Sequence, residues 1–331
     1  GSYSIDVEEY LIAVEACETI EAVETAKIEA IEAIEATIAS YVALVGNVGY
    51  TSVVNALNAS QAGDVITLLN NVELTSVLVL DKEITLDGNG YTLTSTADRA
   101  INVNCAKEVT IKNLTIVNGS NVERAINVIQ KPATLVIDNV EAEGFKYAIN
   151  VAASAKGSLI EINNSTISGY AAINISNGAD YTTLNVKDSV LTGVNEYNNA
   201  KENSFSVITV EGEYSIVTVE GGNIVAKTTN EALQCIMGSS KGNLSNATIK
   251  LDTRLVLDGA NSYLLGFEDY TNIEVLLGLE YTELLSVQGY CLSVEYVGTS
   301  KMIVVNQNNH SEVIDAAVEA TCTTNGLTEG K

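Results

Sequence analysis

The sequence predicts an all-β fold: a right-handed parallel β-helix with coils of about 24 residues, preceded by a long amphipathic α-helix. Three observations predict it. The strand texts RAINV (99–103), RAINV (124–128), YAINV (147–151) and AAINI (171–175) place Ile101, Ile126, Ile149 and Ile173 at intervals of 25, 23 and 24 residues. A second text follows each of them, VTIKNLTIVNG, TLVIDNVEAEG, LIEINNSTISG and TLNVKDSVLTG, with Asn113, Asn139, Asn164 and Asp188 at intervals of 26, 25 and 24. Finally, residues 5–45 contain no Gly or Pro and are dominated by Ala, Glu, Ile and Val, a helical composition.

In chain order, the helix comes first (1–47). Its triplet text EACETIEAVETAKIEAIEAIEATIASY lags by about 60° per triplet, and the step from Val23 to Ile28 resets the phase. Cys17, Ile20, Val23, Ile28, Ile31, Ile34, Ile38, Tyr41 and Val45 therefore share a broad arc, with most glutamates opposite. Such a helix, roughly 60 Å long or broken into two, has to pack against something, and the expected surface is its own domain. An apolar arc of this kind also invites self-association. Residues 52–59 read as a short helix capping the open end of the coil, followed by a turn at Gly63-Asp64 and the first strand.

The repeats need a fold in which each circuit of short strands rises by one strand spacing, about 4.8 Å. The inward columns are Ile111, Ile137, Ile162 and Val186 before the turn, and Ile116, Ala142, Ile167 and Leu191 after it. Asn and Asp tolerate the left-handed backbone of a tight turn, and stacked Asn amides have the geometry to hydrogen-bond along the column. SVITV (206–210) continues the pattern after a longer insertion, and alternating strands persist to about residue 305. The β-helix is assigned to 48–305 and a tail to 306–331.

Composition narrows the function. With 42 acidic and 17 basic residues among 331, the formal charge is −25, which excludes nucleic acid as a partner and disfavours anionic membrane surfaces. No apolar run approaches the length of a membrane span, and the first residues carry no signal-peptide pattern. Cys17, Cys105, Cys235, Cys291 and Cys322 are odd in number and unevenly spaced; they form no disulfide framework, and four of them read as buried hydrophobes. No cofactor motif is present.

On a parallel coil, stacking would bring acids, bases or calcium-binding carboxylates from successive rungs together on an outward face, so the outward columns are the place to look for chemistry. The outward slots of the first strand hold Ala100/Asn102, Ala125/Asn127, Ala148/Asn150 and Ala172/Asn174, a neutral strip. Those before the turn hold Lys112, Asp138, Asn163 and Lys187, a mixed-sign column that reads as charge balance. Glu141 and Glu143 lie two apart after the turn, a pair a glycosidase could use in principle and a solvated strand face by default. The strongest chemical candidate is the column at the strand starts: Asp98-Arg99, Glu123-Arg124 and Lys146-Tyr147, with Tyr147 and Tyr170 as possible stacking rings. Arginine suits planar carboxylates, so uronate or sialic acid ligands fit, while a salt-bridge ladder at a corner is the simpler account of the same residues. The sequence leans against an enzyme, with no catalytic residue assigned.

YTSVVNALNASQAGDVITLLNNVELTSVLVLDKEITLDGNGYTL, together with the repeats, resembles the opening of pectate-lyase-like right-handed β-helix domains in large surface proteins of Gram-positive bacteria. The resemblance implies an extracellular, secreted, cell-surface setting and an adhesin-like role in binding a polysaccharide or host glycoprotein. It also admits two alternatives, a polysaccharide lyase or glycoside hydrolase acting on acidic polysaccharide, and a structural spacer. The lyase would draw acids from the 194–205 insertion, which contains Glu196 and Glu202. HSEVIDAAVEATCTTNGLTEGK (310–331) resembles a short module of the same surface proteins, implying that His310 and Cys322 are two members of a larger His/Cys set. Two such ligands alone do not complete a tetrahedral zinc site, so no metal is assigned.

Overall fold

The computed structural model describes residues 7–120, 122–194 and 205–227, and the backbone of 233–237, 247–258, 262–268, 272–274, 290–297 and 300–307. The chain forms a parallel β-solenoid entered from a pair of helices.

The solenoid has three faces. Face 1 stacks Val65–Leu68, Ile84–Asp87, the first part of Glu108–Asn118, the first part of Thr134–Val151, Leu159–Asn163 and Thr183–Lys187, then continues into Ile216–Lys227 and Thr248–Asp258. Its register sets Ile111 beside Ile137, Ile137 beside Ile162 and Ile162 beside Val186. Face 2 follows the turn and sets Leu93, Ile116, Ala142, Ile167 and Leu191 in one column. Face 3 sets Leu78, Ile101, Ile126, Ile149, Ile173 and Ile208 in another. Ile101, Ile126, Ile149 and Ile173 are each 0% exposed, because the rungs above and below cover what one circuit leaves open. Each fully buried isoleucine is worth roughly 1.5–3 kcal/mol of transfer free energy, an upper figure given the partly collapsed unfolded chain.

The turn between faces 1 and 2 depends on side-chain type. Asn89, Asn113, Asn139, Asn164 and Asp188 have φ of +51°, +51°, +53°, +50° and +48°. Asn and Asp enter this region at little cost, whereas a β-branched residue would be strained. Asn139 Nδ2 donates to Asn113 Oδ1 at 2.9 Å, Asn113 Nδ2 to Asp87 Oδ1 at 3.0 Å and Asn164 Nδ2 to Asp138 Oδ1 at 2.9 Å. The next column carries buried serines whose role the sequence alone does not reveal. Ser165 Oγ accepts from Val140 N and donates to Asn163 O; Ser189 Oγ accepts from Ser165 N and donates to Lys187 O. At the rung of Ile216–Lys227, Gly221 and Gly222 take over the turn with φ of +66° and +63°. A Cβ on Gly222 would lie 2.0 Å from Ser189 O.

The ends are closed differently from the interior. Ala43–Val45 and Val48–Tyr50 form an antiparallel hairpin, and Ala43–Val45 runs antiparallel to Val65–Leu68. A short helix, Val53–Ala59, buries Val53, Ala56 and Leu57 over this end, with Ser52 Oγ accepting from Val54 N. Its C-terminal carbonyls are met by Lys82 Nζ, 3.0 Å from both Leu57 O and Ser60 O, the favourable charge for that helix end. At the far end Tyr290–Val297 and Ser300–Gln307 pair antiparallel, and the latter lies antiparallel to Ser262–Glu268.

Of the two forms expected for the N-terminal segment, one long helix or a broken pair, the structure has the pair, and helix stops at Ser40, short of residue 47. The segment forms α1 (Glu8–Glu15) and α2 (Ile20–Ser40), and Ala43–Val45, which includes Val45 from the expected arc, is strand. The break has a local cause: Thr19 is extended, and its Oγ1 accepts from Ala22 N at 3.1 Å, so it starts a new helix as an N-cap. Neither helix buries a residue. Val23, Ile34 and Ile38 are half-covered, whereas Ile20, Ile28 and Ile31 are exposed. The burial expected from packing on the domain is therefore not found. Among the described residues, no helix is long and apolar enough to cross a membrane.

Candidate functional site

The strands of face 3 create the site. Their inward residues alternate with Asn102, Asn127, Asn150 and Asn174, which the register places one above another. Asn127 Nδ2 donates to Asn102 Oδ1 at 3.0 Å, Asn150 Nδ2 to Asn127 Oδ1 at 2.7 Å, and Asn174 Nδ2 to Asn150 Oδ1 at 2.7 Å. All the donors point the same way, so the amide dipoles align head to tail, with the donor end at Asn102. Ser176 Oγ joins the far end, accepting from Asn174 Nδ2 at 3.0 Å. Asn127 and Asn150 are only 3% exposed, which makes their mutual satisfaction necessary. Ala100, Ala125, Ala148 and Ala172 are each 0% exposed, a correction to the open Ala/Asn strip expected on this face. The small side chains sit inside the wall and the amides form its floor.

A groove of about 340 Å³ lies along this ladder, bounded by Arg99, Asn102, Arg124, Asn127, Asn150 and Ser176. The strand-start column is in register as the sequence suggested: Arg99 beside Arg124, and Arg124 beside Tyr147. Each arginine is held by its own neighbour. Arg99 pairs with Asp98, and Arg124 Nη1 lies 2.7 Å from Glu123 Oε2. Stacked like charges are thereby offset, in pairs worth about 0–1 kcal/mol each at this exposure. The Arg124 guanidinium also lies 5.6 Å from the centre of the Tyr147 ring, as does Lys146 Nζ. Arg124 Nε is buried without a hydrogen-bond partner, so the Glu123 pair leaves part of its donor capacity unused.

Tyr170 does not join this constellation. It is 1% exposed, and the register aligns Tyr147 with Ala171, so no face of the Tyr170 ring is open to a ligand. Glu141 and Glu143 are exposed, but Glu141 is flanked by Thr115 and Thr166, not by other acids. The register then shifts between Ala142 and Phe145, breaking the expected alignment of Glu143 with Ser168. A second groove, of about 210 Å³, runs along the asparagine turn beside Asn113, Asn139, Glu141 and Asn164. Among the described residues, no three His, Cys, Asp or Glu side chains gather as metal ligands. Cys105 is buried and Cys17 half-covered, its Sγ 3.3 Å from Ala13 O in the break between the helices. Glu196, Glu202, His310 and Cys322 lie outside the described residues.

A further cluster, not evident from the sequence, lies at the corner between faces 3 and 1. There Lys156 Nζ lies 2.9 Å from Asp180 Oδ2, and Asp180 Oδ1 accepts from Glu213 N at 3.0 Å. The Lys156 contact, aided by that backbone donor, holds the Asp180 carboxyl below the usual carboxylate range; Asp180 in turn raises Lys156. Tyr181 and Tyr214 stack beside them, their ring centres 5.2 Å apart. The 24-residue step from Lys156 to Asp180 carried the signal, but the insertion before Tyr214 hid the aromatic step. Comparison with protein-family models, with curated proteins and with solved structures finds no match to this chain.

Proposed function

We propose that this solenoid is a non-enzymatic binding module, adhesin-like, that takes an acidic glycan along the face 3 groove. The observation that carries the reading is the groove's composition. Two stacked arginines stand at its edge, donors matched to a carboxylate, and the amide ladder beneath ends in the half-exposed polar groups of Asn102 and Ser176, which suit sugar hydroxyls. The amide floor is already ordered by its own hydrogen bonds, so a ligand would not have to immobilise it. A carboxylate would compete with Asp98 and Glu123 for the guanidinium groups, which favours modest affinity and release in salt. Uronates and sialic acids are the ligand classes with that chemistry, on a polysaccharide or a host glycoprotein. The finer family reading, a right-handed pectate-lyase-like coil on a Gram-positive cell surface, rests on the sequence resemblance and on the strong preference of parallel crossovers for the right hand.

The test is a glycan array followed by a reducing-sugar assay on uronate polymers, with wild type and Arg124→Ala side by side. Binding to acidic glycans that Arg124→Ala loses, without turnover, is the expected result. Turnover would replace this reading with a lyase or hydrolase, and silence with a spacer.

A further inference from the structure

Two tyrosines at the corner opposite the groove's entry column occupy backbone positions that disfavour them. Tyr181 and Tyr214 both have φ of +57°. Gly157 holds the matching place one rung earlier, with φ of +81°, and Gly157 N donates to Asp180 O just as Tyr181 N donates to Glu213 O. Residues with a Cβ seldom adopt this conformation, and a bulky ring does so less readily than Asn or Gly. The rings are nevertheless exposed, at 55% and 50%, and lie nearly parallel, 5.2 Å between centres and 18° between planes. Lys156 Nζ sits 5.0 Å from the Tyr181 ring centre and is itself tied to Asp180. The solenoid therefore holds two solvent-accessible phenols face to face at one strand spacing, on backbone the hydrogen-bond ladder prevents from separating.

We infer that Tyr181 and Tyr214 are a site of oxidative cross-linking, where a peroxidase using hydrogen peroxide would join them as an intramolecular dityrosine. The peroxidase removes one electron and one proton from each phenol. The two tyrosyl radicals then couple through a carbon–carbon bond between ring positions ortho to the oxygens. Each ring returns to the phenol by moving its ortho hydrogen to oxygen. The net change is loss of one hydrogen from each tyrosine, and the peroxide is reduced to two molecules of water. Stacking at one rung spacing supplies the proximity that free tyrosyl radicals lack, which favours coupling within a chain over coupling between chains. The product would be a covalent staple across two turns of chain, 33 residues apart in sequence (214 − 181).

The experiment treats the full chain, at low concentration, with horseradish peroxidase and hydrogen peroxide, then separates monomer from covalent dimer and maps digested peptides. The expected result is dityrosine fluorescence in the monomer fraction and a peptide joining Tyr181 to Tyr214, lighter than its parts by two hydrogens. Tyr181→Phe and Tyr214→Phe should each lose that peptide while keeping the wild-type circular dichroism. Mapping matters because the chain has 15 tyrosines. Dityrosine confined to covalent dimers, or mapped in the monomer to other tyrosines, would overturn the inference, as would no product at all. Wild-type mapping decides the question even if a variant fails to fold.

Discussion

The helical pair and the solenoid are both written in repeating text, yet only one converts its repeat into burial. In α2 the recurring Glu-Ala-Ile triplets leave Ile20 at 85% exposure, Ile28 at 56% and Ile31 at 46%. In face 3 the recurring Ala-Ile-Asn leaves Ile101, Ile126, Ile149 and Ile173 at 0%. Side-chain hydrophobicity is the same in both. The difference is the number of neighbours: an interior rung is covered from two sides along the axis, whereas each helix leans mainly on the other. A sequence period fixes which residues share a face. It does not determine whether anything covers that face.

The contrast is broken most directly at Ile149. Ile149→Asp would place an unpaired carboxylate among aliphatic side chains, a cost of more than roughly 4–5 kcal/mol and enough to abolish cooperative unfolding. Thermal circular dichroism checks it, and an unchanged melting temperature would show that Ile149 does not face inward. The polar column should come next. Asn127→Ala removes the acceptor of Asn150 Nδ2 and the donor to Asn102 Oδ1, leaving buried groups unpaired at about 1–3 kcal/mol. Urea titration of this variant should show a lower midpoint with an unchanged slope.

Acid offers a gentler probe. Burial alone would raise the Asp87 carboxyl, but hydrogen bonds from Asn113, the Asn89 backbone and Lys112, with the Lys112 charge, outweigh it and hold Asp87 low. Its folded value lies below its unfolded one, so its contribution is present above about pH 4 and is lost as pH falls through the folded value. Wild type should therefore lose more stability on acidification than Asp87→Asn does, measured as the shift in melting temperature from neutral pH to pH values of about 3. The smallest effect is expected in the helices: Ile28→Ala or Ile31→Ala should change stability by less than about 0.5 kcal/mol. A loss as large as that of Asn127→Ala would show that α2 is packed in solution on a surface not seen here.

The solenoid was legible because its signals are local and repeated. Inward isoleucines and left-handed asparagines recur at fixed offsets, so a register could be written from the text alone and matched rung by rung. Other features were illegible for physical reasons. Thr19 reads as one more residue in a helical run until its hydroxyl is seen capping α2. Ser165 and Ser189 look like ordinary turn residues, and only the stacked structure shows their hydroxyls satisfying the buried backbone of neighbouring rungs. In the candidate site, the arginine column followed from spacing. The burial of Tyr170 did not, because inside or outside at a strand corner depends on a bulge that alternation cannot register. The polarity of the amide floor was equally hidden, since the direction in which an asparagine donates is a property of the assembled stack.

The reversed strands at the two ends have a consequence for assembly. A coil whose rungs all run one way is a template: its last turn presents the same edge as its first, and copies could add head to tail into a fibre. Here Ala43–Val45 runs against Val65–Leu68 at one end, and Ser300–Gln307 against Ser262–Glu268 at the other. Each reversal removes the translational match on its face that a second molecule would need to continue the spiral. On those two faces, chain direction itself opposes continuation of the stack by a second copy.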